Sequence, residues 1–137
     1  MKKIVFLLLI AISLTSCSLE DDSPNNFYYE ILPVESVELP EEFVLGQTYE
    51  ITVTYLRPTT CHVYNNIYYE AELNQRTVAV VTTVYQNNDC LPLIDQVAEV
   101  TFNFMVNSNG TYVFKFWQGE DENGNDLYYV VEVPVVE

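Results

Sequence analysis

Basic side chains are scarce in this sequence: 5 Lys and Arg stand against 20 Asp and Glu, with 1 His, in 137 residues. A formal net charge of −15 repels phosphate backbones and argues against nucleic-acid binding. The same sign argues against docking onto anionic headgroups. Only 3 Cys are present, none in C-x-x-C spacing, and with one histidine a zinc site would be short of ligands. Gly-x-Ser-x-Gly elbows, phosphate-binding glycine loops and His-rich metal motifs are all missing. Histidine is the side chain best suited to general-base work near neutrality. The single copy, His62, sits beside Cys61 at an expected strand start and reads as a surface or strand-end residue. Glu70 and Glu72 share one strand face, but nothing encloses a substrate beside them as glycosidic cleavage requires. The expectation is a protein without enzymatic activity, without catalytic or metal-ligating residues and without a cofactor.

Long apolar runs are also lacking. The one substantial run, Ile4 to Ile12, is less than half of the roughly 20 residues that cross a bilayer as a helix. It follows Lys2-Lys3 and is closed by Leu14-Thr15-Ser16-Cys17, the order of an export signal that is removed. Those last four residues resemble the lipobox of bacterial lipoproteins. The resemblance implies a diacylglyceryl group on the Cys17 thiol, cleavage before Cys17, and acylation of the new amino terminus, for example by palmitate. Several acyl chains on one residue hold a protein durably to a membrane. Position +2 is Ser18 and not Asp, so the inner-membrane retention signal of enterobacterial lipoproteins is missing. Ser18-Leu19-Glu20-Asp21-Asp22 is similar to the surface-export signal of Bacteroidota lipoproteins. The resemblance therefore implies an outer-membrane lipoprotein facing the cell exterior, with the periplasmic face as the alternative.

The expected organisation is a signal peptide over 1–16, an acidic flexible tether over 17–26 and one domain over 27–137. Beyond the cut only Arg57, Arg76 and Lys115 are basic, and 3 basic against 20 acidic residues leave a formal charge of −17. That acidity reads as solubility. With Cys17 lipidated, Cys61 and Cys90 remain as an even pair in an oxidising compartment, where a disulfide is expected.

From Phe27 onward Val, Ile, Thr, Tyr and Phe dominate, in runs split by Gly, Asn, Pro and Asp. No dozen residues carry a helical apolar stripe. The spacing predicts an all-β antiparallel sandwich of about seven strands: 28–32 with 34–39 as one broken edge strand, then 47–56, 62–73, 76–86, 96–106, 110–118 and 127–136. Ile51, Val53 and Tyr55 alternate with Glu50, Thr52 and Thr54, as half-buried strands do. Asn109-Gly110 and Asn123-Gly124 are tight-turn signals between such strands. A hairpin of 62–73 with 76–86 centred on Asn74-Gln75 would bring Cys61 and Cys90 together at its open end. With seven strands, this turn spacing and the late aromatic strand Gly110-Thr111-Tyr112-Val113-Phe114, the chain resembles an immunoglobulin-like domain, although the Cys…Trp…Cys spacing is missing.

The same hairpin register puts Ile67, Tyr69, Ala71, Val78 and Val80 on a core face. Tyr64 then faces Tyr85 on the other side, with Tyr68, Ala79 and Val81 nearby and Trp117 on the wet side of its own strand. An exposed aromatic patch marks a binding surface for protein or for stacked sugar rings. The candidate binding face is therefore Tyr64, Tyr68, Tyr85 and Trp117. In residues 120–126, Asp121, Asn123, Asn125 and Asp126 could offer oxygens to calcium. Gly124 is fourth rather than sixth in that run, so a polar hairpin tip is the favoured reading.

Overall fold

The computed structural model describes residues 26–87 and 89–137. The signal segment, Cys17 and the tether up to residue 25 lie outside the described residues. Within them the chain is all β. The strands are β1 (Phe27–Leu32), β2 (Val34–Glu38), β3 (Phe43–Val44), β4 (Thr48–Leu56), β5 (His62–Glu72), β6 (Gln75–Tyr85), β7 (Val97–Met105), β8 (Thr111–Glu120) and β9 (Asp126–Val136). Six of the seven expected strands are found within two residues of their expected ends.

The strands form two sheets, β2-β4-β7 and a larger one running β1-β6-β8-β9-β3, with β5 on the other edge of β6. The first expected strand is in fact two strands in two sheets. Pro33 has no N–H to give to a ladder, and between buried Leu32 and Val34 the chain leaves β6 and joins β4. The arrangement also departs from the wholly antiparallel expectation. β3 runs parallel to β9, and β8 runs parallel to β6 from Gln75 to Val78. β1 then takes over the same edge of β6 from Val80 to Tyr85. Two strands thus share one edge end to end, and the larger sheet curls like a half-barrel. The crossing from β7 to β8 changes sheets, so β8 need not reverse direction against β6.

The core lies between the sheets, where Ile51, Val53 and Phe104 meet Val78, Val80, Tyr112, Phe114, Phe116 and Val133. Its centre is aromatic: Phe104 lies 4.9 Å from Tyr112, 5.1 Å from Phe114 and 5.2 Å from Phe43, ring centre to ring centre. The contacts with Tyr112 and Phe114 are edge-on, a packing that adds to the burial of apolar area. The buried Tyr112 hydroxyl accepts the Ser108 N–H at 3.1 Å and donates to Asn107 Oδ1 at 3.0 Å, which satisfies its polar end. It thereby fixes the β7–β8 corner.

In the β5–β6 hairpin Glu72 faces Gln75, so the turn residues are Leu73-Asn74, with Leu73 at φ 53°. The turn sits one position earlier than expected, which moves each pairing by two residues. An even shift preserves sheet faces, so Ile67 and Tyr69 still share the core side with Val80 and Val78.

Candidate functional site

Alternation along the larger sheet sends Val78, Val80, Thr82 and Val84 inward and their neighbours outward. The outward set is unusually apolar. Among Asn66, Glu70, Thr77, Thr83 and Lys115 it carries Phe27, Tyr29 and Ile31 on β1, Val63 and Tyr68 on β5, Ala79, Val81 and Tyr85 on β6, Trp117 on β8, and Tyr128 and Val130 on β9. Tyr29 is 63% exposed and Val130 53%. Polar residues normally cover such a face.

Part of this face is a groove of about 280 Å³ lined by Ile31, Tyr68, Ala79, Trp117, Tyr128 and the carboxylates Glu120 and Asp126. The Trp117 indole N–H donates to Asp126 Oδ1 at 2.8 Å, which fixes the ring. The Tyr68 hydroxyl donates to Glu70 Oε2. That bond to a carboxylate pushes the Tyr68 phenol above its ordinary value of 10.0. Burial, and then the Asp126 charge, push Tyr128 up in the same direction. Lys115 Nζ lies 4.3 Å from the centre of the Tyr128 ring, within cation–π range. Flat rings can stack on a ligand while the Glu120 and Asp126 carboxylates beside them accept its hydroxyl or amide protons.

Of the expected aromatic face, Tyr68 and Trp117 meet in this groove, whereas Tyr64 and Tyr85 do not pair. A bulge between Tyr64 and Asn66 makes Tyr64 face Thr82, an inward position, so Tyr64 lies on the opposite side of the sheet from Tyr68. One inserted residue reverses every side chain beyond it. Tyr85 pairs instead with Phe27 on β1, their rings 6.3 Å apart, and Phe27 lies 5.7 Å from Tyr29. Phe27, Tyr29 and Tyr128 are the aromatic members of this face that the sequence expectation does not include, and Ile31, Val63 and Val130 are the aliphatic ones. The alternation of Phe27, Tyr29 and Ile31 around Tyr28 and Glu30 was the available signal.

Cys61 and Cys90 form a disulfide with Cα atoms 5.4 Å apart, at the open end of the β5–β6 hairpin. His62 is buried, not a surface residue. Its Nε2 meets Glu30 Oε2 at 2.5 Å and its Nδ1 meets the Thr59 hydroxyl at 2.7 Å. Both ring nitrogens are therefore occupied in tying the β4–β5 connection to β1.

In the acidic tip, one Asp121 carboxylate oxygen accepts the backbone N–H groups of Asn123 at 2.8 Å and Asn125 at 2.9 Å. The other accepts the Asn125 side-chain amide at 3.1 Å. The Asn125 backbone bond is the main cause that holds the Asp121 carboxyl below its ordinary value of 3.8. These oxygens close the turn, which agrees with a hairpin tip. Among the described residues no group of three or more His, Cys, Asp and Glu is placed to hold a metal ion.

Among the described residues no helix is long and apolar enough to cross a membrane. No curated protein and no solved structure matches the chain. Residues 1–18 match the family model described as the prokaryotic membrane lipoprotein lipid attachment site, a segment that contains Cys17. The match supports a prokaryotic envelope lipoprotein, held at its membrane by lipid.

Proposed function

We propose that this lipoprotein is a non-enzymatic module of the outer-membrane surface that docks a protein partner on the outward face of its larger sheet. The observation that carries the reading is the band of exposed and half-buried aromatic and β-branched side chains from β1, β5, β6, β8 and β9. Tyr and Trp supply large rigid contact area with a polar tip, which suits protein contact. The acidic residues after Cys17 support outward export through their resemblance to Bacteroidota signals. An immunoglobulin-like sandwich belongs to the same proposal. It is supported by Tyr112, whose hydroxyl reaches back to the backbone N–H groups of Asn107 and Ser108 near the start of β8, as in a tyrosine corner. The test is a photo-crosslinking amino acid at position 68 of the full-length protein on living cells, with Glu99 on the smaller sheet as the control position. A discrete adduct from position 68 and not from 99 is expected; no adduct, or the same adducts from both, rejects the docking face.

A second reading has its own observation. The Trp117, Tyr68 and Tyr128 rings beside Glu120 and Asp126 form the ring-and-carboxylate groove of a glycan-binding module. Oligosaccharides would then quench the single tryptophan saturably, and a panel without any quenching removes this reading.

A further inference from the structure

Among the described residues β5 pairs only with β6 and β7 only with β4, so the sandwich stays open along the edges of these two strands. The opening is a cleft of about 400 Å³ walled by Ile67, Tyr69, Phe102, Phe104 and Met105, with Arg76 at its inner side. That volume falls within the range of small-molecule sites. The rest of the lining is asparagine. In a chain with 20 Asp and Glu, none of the described carboxylates lines this cleft.

Arg76 is only 7% exposed. Its Nη1 donates to the carbonyls of Leu73 at 2.6 Å and Gln75 at 2.9 Å. Its Nε is buried with no hydrogen-bond partner. The guanidinium carbon lies 5.0 Å from the Tyr112 ring centre and 5.8 Å from that of Phe104. Among the described residues Arg76 has no acidic partner within bonding reach. A buried cation with an unsatisfied donor is costly unless an anion completes it.

We propose that this cleft is a binding site for a carboxylate carried on an apolar or aromatic body, with Arg76 as its anion-binding residue. Guanidinium and carboxylate match as two parallel hydrogen bonds. With Nη1 given to the hairpin carbonyls, Nε is the donor left without an acceptor. The Tyr69 phenol, raised by burial and drawn back by the neighbouring Arg76 charge and hydrogen bond, is the polar group beside the guanidinium. The apolar body lies against Ile67, Tyr69 and Phe102. Met105, 61% exposed and unbranched, is the wall that yields to admit it. The site is separate from the outward groove, because Tyr69 and Ile67 lie on the inward side of β5 and Tyr68 on the other.

The test uses the full acylated protein in phosphatidylcholine nanodiscs, titrated with 4-phenylbutyrate and with its neutral amide against empty nanodiscs. The anion is repelled by the protein's overall charge, so any preference for it reports a local cation. The carboxylate is expected to bind about tenfold tighter than the amide, which a charge-assisted pair readily supplies. Arg76→Met should bring the two ligands to equal affinity, and Arg76→Lys should keep part of the preference. A purely structural Arg76, capping the hairpin carbonyls, predicts equal binding of acid and amide by the unaltered protein. That equality, or the absence of saturable binding of the acid, overturns the proposal without recourse to any variant.

Discussion

Removal of the Cys61–Cys90 bridge should destabilise the domain by about 3.6 kcal/mol, and the loss should lie in the unfolded chain. The bridge closes a loop of 29 residues. The chain-entropy relation for a loop of that length gives an entropy of about −12 cal/mol/K, hence the figure of about 3.6 kcal/mol near 25 °C. In the folded state the bridged ends are held by other bonds as well. Tyr85 N–H donates to Cys61 O at 3.1 Å, Thr60 N–H to Leu91 O at 3.0 Å, and Leu93 N–H to Pro58 O at 2.9 Å. The double variant Cys61→Ala/Cys90→Ala should therefore keep a native circular-dichroism spectrum. Urea unfolding followed by Trp117 fluorescence should show the stability loss together with a steeper denaturant slope, because the uncrosslinked chain exposes more surface. The melting temperature should fall by roughly 15 °C, at about 4 °C per kcal/mol for a domain of this size. A loss below about 1 kcal/mol with an unchanged slope would refute the argument, for then the hairpin ladder alone already constrains these ends.

The other expectations concern single side chains. Tyr112→Phe should cost about 1–2 kcal/mol in thermal unfolding, because it leaves the Ser108 N–H and the Asn107 side chain without their partner; no change in stability would show that water replaces the hydroxyl. Asp121, held below 3.8 by its bonds from Asn125 and Asn123, should support the β8–β9 turn at every pH above that ordinary value and lose this support as pH falls through its lower folded value. The Asn123 and Asn125 amide resonances should therefore be constant above that range and move together below it; movement centred at or above 3.8 contradicts the bonding. Cys17→Ala should abolish palmitate incorporation and release the protein from membranes, and retention of the label would place the lipid elsewhere. Protease treatment of whole cells should degrade the protein if it faces outward and spare it if it faces the periplasm.

Local chemistry carried much of this molecule in plain view. A basic start, a short apolar run and Cys17 describe a lipid attachment signal without reference to any fold. Period-two alternation in β4, β7 and β8 and the Asn-Gly pairs specify strands and turns, since side chains of a strand alternate between its two faces whatever lies beyond. The pairing of Cys61 with Cys90 follows from their being the two cysteines left beyond Cys17, and the hairpin arithmetic that agrees with it tolerates an even slip. Three matters needed the assembled sheets. The bulge beside Asn65 reverses Tyr64 because one unpaired residue is invisible to a pattern of alternation. The parallel contact of β6 with β8 joins residues some 38 positions apart, and no local signal encodes which edge a strand will choose. Arg76 reads in sequence as one of three scarce cations, and only the packing of β6 and β8 against β7 buries it beside two aromatic rings, with no acid within bonding reach among the described residues. Strand, turn and anchor are thus written in short stretches of chain, whereas burial, facing and the charge of a cleft depend on what distant segments bring alongside.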